Sequence, residues 1–239
     1  MPNSIDTNRI RALLFDVDGT LVDTLDALVA GLGDAFERFV GRRPSAEEIR
    51  SMIGLPLSVQ LARYRETPPD DAELESMIDF TVRRFEELKH LERPFEGAVE
   101  ALRLAHESGL RTALVTSKTR TELDAFLERF PERRSVHATV CSTDVSEPKP
   151  HGESALLAAA RLGVDPSEAV MIGDSVYDLA CGRMAGCPVV AVSYGATRHE
   201  TLAAENPDLI FRTPEELRDW IASLAKQKHA KEEDCNTRA

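Results

Sequence analysis

Two aspartates, Asp16 and Asp18, stand one residue apart at the end of an apolar run in "LLFDVDGTLVDT" (Leu13–Thr24). Carboxylates held this close repel, and each raises the other's pKa unless positive charge intervenes. Further groups follow at the ends of later apolar runs. Thr116 and Ser117 close "RTALV", Lys149 sits in "EPKPHG", and Asp174 opens "DSVYD", which ends at Asp178. Ends of parallel strands converge on one side of a sheet, so these distant residues can meet. Two or three carboxylates at one point are costly without a cation. Oxygen donors favour a hard ion, and Mg²⁺ suits a few carboxylates combined with a substrate phosphate. Lys149 would add a fixed positive charge.

The surrounding pattern supplies those strand ends. "IRALLFD" (Ile10–Asp16) reads as a buried parallel strand, and similar runs start at Arg111, Ala169 and Pro188. "HATVCST" from His137 is weaker, and "DLIF" from Asp208 suits an edge strand. Helical periods lie between these runs, several of them stopped by glycine, as at Gly163 and Gly186. "TPEELRDWIASLA" from Thr213 opens with a capping-box pattern. Strand alternating with helix predicts an α/β fold, a doubly wound, Rossmann-like parallel sheet. From about Asp23 to His90 the alternation stops, and every segment is helical. The expected division is core over 1–22, an all-helical insert over 23–92, core again over 93–225, and a frayed polar tail over 226–239. An insert after the first strand stands over that strand's C-terminal end, where such sheets bind ligands. It is placed to act as a lid, with "IGLPL" (Ile53–Leu57) as a loop facing the site.

Bulk properties narrow the partners. A chain of 239 residues with 42% hydrophobic content suits one large domain or a domain with an insertion. A formal charge of −12 argues against nucleic acid and anionic membrane as partners. It leaves room for a small phosphorylated substrate, because a local field can oppose the net charge. No segment approaches the roughly 20 apolar residues that span a bilayer. Cys141, Cys181, Cys187 and Cys235 lack CxxC or zinc-like spacing. With no secretory pattern at the start, they are read as reduced thiols and the protein as cytoplasmic.

Taken together, DxDGT, the strand ending in Thr116, the proline-flanked Lys149 and GDxxxD, in that order, resemble the haloacid dehalogenase superfamily. The insert resembles its subfamily I cap, and "VTSK" with "PFEGAVEAL" is similar to its phosphoglycolate phosphatase and pyrophosphatase branch. The resemblance implies a phosphoric monoester hydrolase. In it, Asp16 would be the nucleophile and Asp18 the general acid/base. Thr116, Ser117 and Lys149 would bind phosphate. Asp16, Asp174 and the Asp18 backbone carbonyl would hold Mg²⁺, with Asp178 orienting these ligands or Lys149. Where the family often has Lys-Pro-x-Pro, this chain has "KPHG".

Plainer readings stand beside these. An Asp after a strand is commonly a cap or turn residue, Asp178 can be an ordinary helix residue, and Lys118 is taken as a surface lysine. His151 reads as an exposed loop histidine, and Arg63 and Arg65 as a solvated face. The alternative activity is a phosphosugar mutase of the β-phosphoglucomutase type, using the same aspartate. It is weakened because the insert holds no histidine before His90. A metal-independent dehalogenase would lack the Asp18 carboxylate. A phosphonate hydrolase needs a lid lysine, and the first lysine here is Lys89. Phosphoglycolate, pyrophosphate, sugar phosphates and nucleoside monophosphates all fit as substrates.

Overall fold

The computed structural model describes residues 5–63 and 68–237, with side chains to residue 228. Six parallel strands form the central sheet: β1 (Ala12–Phe15), β4 (Arg111–Val115), β5 (Ala138–Val140), β6 (Ala169–Gly173), β7 (Val189–Val192) and β8 (Leu209–Phe211). Their spatial order is β5-β4-β1-β6-β7-β8, with β8 at an edge. Chain direction across the sheet reverses beside β1, the crevice where doubly wound sheets bind ligands.

Each strand is greasy throughout because both its faces are covered. In β1, Leu13 and Phe15 point to one face, and Ala12 and Leu14 to the other. The first face packs on α5 (Glu96–Glu107), α6 (Arg120–Arg129) and α10 (Pro214–Thr237) through residues such as Leu102, Phe126 and Ile221. The second packs on α7 (Glu153–Leu162), α8 (Val176–Ala185) and α9 (His199–Ala204) through Ala158, Leu179 and Leu202. The expected glycine stops are present: α7 ends at Gly163 with φ 65° and α8 at Gly186 with φ 81°.

Between the first strand and the rest lie α1 (Leu25–Val40), α2 (Ala46–Arg50), α3 (Leu57–Ala62) and α4 (Asp71–Leu88). They enclose a small core of their own, built on Leu32, Phe36, Ile49, Met52, Leu61 and Met77. Gly31 lets α1 and α4 approach, since a Cβ there would lie 2.6 Å from the Phe85 ring. Arg84 clamps Asp34 across the two helices with bonds of 3.0 and 2.7 Å. The two chain connections to this unit pair with each other: β2 (Val22–Asp23) runs antiparallel to β3 (Arg93–Pro94). That ribbon was not anticipated, because two residues are too few to show a period.

One expectation is corrected. The tail over 226–239 is not frayed throughout: α10 continues to Thr237. Its Lys, Gln, Ala and Glu residues are good helix formers, and extending a helix already nucleated on the core needs no new nucleus. Lys228 Nζ donates to the Gly109 carbonyl at 2.6 Å and ties the start of this stretch down. Among the described residues no helix is long and apolar enough to cross a membrane.

Candidate active site

The site forms where β1, β4 and β6 end. Asp16 directly follows β1, and its backbone N–H still bonds to Ile172 of β6 at 2.9 Å. Its side chain is therefore delivered into the crevice by the strand itself. Lys149 arrives from the loop before α7, and its side chain is 1% exposed. Its Nζ donates to Asp16 Oδ1 at 2.7 Å, to Asp178 Oδ1 at 2.7 Å and to the Val115 carbonyl at 3.1 Å. The "KPHG" loop thus places the lysine amine on the first aspartate without a second proline.

Asp178 has two tasks. It is the third residue of α8, and its Oδ2 accepts from Ser175 N at 3.1 Å and from Ser175 Oγ at 2.5 Å, closing a capping box. Its Oδ1 holds Lys149. The plain cap reading and the functional reading describe the same side chain.

Asp174 sits at the tip of β6, 1% exposed. Its Oδ2 accepts from Ala196 N at 2.6 Å, and its Oδ1 from Thr20 Oγ1 at 3.3 Å. The turn after Asp18 closes tightly over it. Gly19 has φ 80°, and a Cβ there would lie 2.2 Å from Asp174 Oδ2, so both conformation and space demand glycine.

Asp16, Asp174 and Asp178 each present a carboxylate oxygen within 4.8 Å of the others. Burial, and then Asp178, push Asp16 up to about 7 against the opposing charge of Lys149. Burial, then Asp16 and Asp178, raise Asp174 well above the carboxylate range. Burial works to lower Lys149, and Asp16 with Asp178 outweigh it, so its ammonium is held above its ordinary value. One lysine among three buried carboxylates leaves an excess of negative charge. The donor set is all oxygen, so the residues fit a hard divalent cation such as Mg²⁺.

Asp18 borders the same space as Asp16, and its charge acts on that group. Lys118 Nζ sits 2.8 Å from each of its two carboxylate oxygens. Burial works to lower the Lys118 pKa, and Asp18 and Glu122 outweigh it, so the ammonium is stabilised. Lys118 is 17% exposed at its side chain, so the surface reading is corrected: it belongs to the site. The signal was available, since Lys118 follows the strand-end pair Thr116 and Ser117.

Thr116 is buried at the end of β4, and its Oγ1 accepts from Lys118 N at 3.2 Å. Ser117 Oγ donates to the Gly54 carbonyl at 2.6 Å, so the "IGLPL" loop does reach the site. Tyr177 OH adds a bond to the Ser51 carbonyl at 3.0 Å. The four-helix unit is seated over the crevice and encloses about 50 Å³ bordered by Asp16, Asp18, Ser117 and Lys118. Arg63 is exposed, and Arg65 lies outside the described residues.

Residues 13–192 match the haloacid dehalogenase-like hydrolases. The chain belongs to this family. Pyrophosphatase PpaX of Bacillus velezensis is 31% identical over 211 residues, covering 87% of this chain and 95% of that one. Phosphoglycolate phosphatase of Salmonella typhimurium is 30% identical over 223 residues, covering 84% and 88%. Among solved structures, CbbY from Rhodobacter sphaeroides in complex with phosphate superposes with a TM-score of 0.74 at 25% identity, covering 87% of this chain and 96% of that one. This haloacid dehalogenase-like hydrolase is an enzyme of the phosphatase class, similar to relatives named pyrophosphatase and phosphoglycolate phosphatase.

Proposed function

We propose that this hydrolase cleaves phosphate monoesters of small metabolites in two steps, through an aspartyl-phosphate on Asp16. The observation that carries the reading is the buried Lys149, bonded to both Asp16 and Asp178 beside Asp174. The lysine fixes Oδ1 of Asp16, while Oδ2 accepts no hydrogen bond from the described residues. Asp16 attacks phosphorus, the bond to the ester oxygen breaks, and Asp18 gives that oxygen a proton. Water then attacks the acyl phosphate, Asp18 takes its proton, and orthophosphate leaves with Asp16 restored. Thr116, Ser117 and Lys149 bind the phosphoryl oxygens, Ser117 turning from Gly54 as substrate enters. Asp16, Asp174 and the Asp18 carbonyl hold Mg²⁺, and Asp178 orients Lys149. Bound Mg²⁺ supplies charge neutralisation for the phosphoryl group and the carboxylates. Residues 23–92 serve as a lid that opens on the β2–β3 ribbon and keeps bulk water from the intermediate.

Rapid-quench trapping with ³²P-labelled ester tests this. The native enzyme with Mg²⁺ should carry transient label, and Asp16→Asn none. Asp18→Asn should hold label longer and lose about 10²–10⁴-fold on alkyl esters, with a smaller loss on aryl esters, whose leaving groups need no proton. Label on Asp16→Asn, or equal losses for both ester types, would reject these roles.

A further inference from the structure

The lid side of the site says what the substrate's leaving group is. Leu28, Ile53, Leu55, Leu57 and Phe85 line the 50 Å³ space, and Gln60 is its one uncharged polar side chain contributed by the lid. An adjoining space of about 40 Å³ shares Asp18, Leu28, Phe85, Lys118 and Glu122 with it and extends to Thr24. One water needs roughly 10–15 Å³ of such room, so the two hold a leaving group of several heavy atoms.

Two buried polar atoms in these walls have no partner, Gln60 Oε1 and Thr24 Oγ1. Gln60 is 9% exposed and Thr24 4%. The amide orientation is fixed, because Gln60 Nε2 donates to the Leu55 carbonyl at 2.7 Å, and a flip would set two oxygens together. Thr24 stands at the N-cap of α1, where a threonine hydroxyl ordinarily takes a backbone N–H. It makes no capping bond. Buried polar atoms are rarely left without a partner, and each of the two adjoining spaces is lined by a residue that carries one, Gln60 in the first and Thr24 in the second.

The charges point the same way. Lys118 is already paired with Asp18 at 2.8 Å. Arg129 is paired with Glu92 at 3.2 Å and with Glu86 at 3.8 Å. Glu122 adds a further carboxylate to both walls. Among the described residues, neither space offers an unpaired cation to a second anionic group.

We infer that the leaving group is a short, uncharged, hydroxyl-bearing carbon chain, a polyol or small sugar, whose hydroxyls bond to Gln60 Oε1 and Thr24 Oγ1. The inference rests on the phosphatase reading of the same site. A substrate carboxylate or second phosphate would enter beside Glu86, Glu92 and Glu122 and be disfavoured.

The full chain with Mg²⁺ should be assayed on glycerol phosphate, propyl phosphate, phosphoglycolate, pyrophosphate and an aryl phosphate. Glycerol phosphate should exceed propyl phosphate, phosphoglycolate and pyrophosphate in kcat/KM by at least about tenfold, because a site built for hydroxyls rejects analogues without them. Gln60→Leu and the isosteric Thr24→Val should each lower the glycerol-to-propyl ratio by about fivefold or more, roughly one hydrogen bond. Faster turnover of phosphoglycolate or pyrophosphate, or an unchanged ratio in Thr24→Val, would overturn the inference and leave the phosphatase reading standing. No turnover of any ester, the aryl one included, would overturn both.

Discussion

Asp16 and Asp18 look equivalent in sequence, and their partners make them different. Asp16 is fixed by Lys149 among buried carboxylates, whereas Asp18 is held by Lys118 at the mouth of the leaving-group space. A base that must give and take a proton is effective only when its oxygens point at the right atom. In the proposed mechanism Lys118 is a positioning residue for Asp18, which it holds at 2.8 Å. Lys118→Met should lower kcat on alkyl phosphates by about tenfold, the lower end of what orienting partners are worth. Its effect on aryl phosphates should be smaller, as for Asp18→Asn. Equal losses on both, or a change in KM alone, would show that Lys118 serves binding instead. Lys118 was legible only by its place after Thr116 and Ser117, because lysines on loops are mostly solvated. Its partner comes from another strand end, 100 residues away.

At the level of elements, the loop between α2 and α3 couples lid to core. Gly54 has φ 102°, and its carbonyl accepts from Ser117. A Cβ at this position would lie 2.6 Å from Ser175 Oγ and 2.9 Å from Ser175 Cβ. Ser175 caps α8 and orders Asp178, so a lid pushed off this contact also disturbs the group that holds Lys149. Gly54→Ala should therefore lower kcat/KM by about tenfold or more, since 1.4 kcal/mol of misfit at closure is a tenfold effect. Gly41→Ala is the control: its φ is 72°, but nothing lies within 4 Å of the added Cβ. It should cost stability alone. Equal activity losses in the two variants would mean that backbone strain, and not the lid contact, is responsible.

Across the whole molecule, lid and sheet each bury an apolar core, and the sheet carries its own device for pH. His137 opens β5 from the end opposite the active site. Its Nδ1 accepts from Thr112 N at 3.1 Å, which requires a neutral ring. Burial first, and then His106 and Arg111, hold its pKa below the ordinary 6.5. As pH falls the unfolded chain takes this proton first, so the contribution is complete above about 6.5 and is lost below it. Between pH 7.5 and 5.5 the native protein should lose more in Tm than His137→Gln does. Parallel Tm profiles for the two proteins would reject this origin.

Local rules sufficed for much of this. Apolar runs of strand length, helical periods and glycine stops are short-range signals, and they marked all six sheet strands and the helices of the core except the short α9. The order of the motifs placed Asp16, Thr116 and Asp174 at strand ends, because in a parallel sheet those ends must share one side, and Lys149 in the loop that follows β5. Other features arise only when distant segments meet. The β2–β3 ribbon is too short to leave a period. The extension of α10 to Thr237 depends on a helix already nucleated against α5 and β8. The pairing of Lys118 with Asp18, and the unpaired oxygens of Gln60 and Thr24, are decided by which side chains face each other across the closed lid. Burial and the distances between charges set those choices, and neither is written in the spacing of residues along the chain.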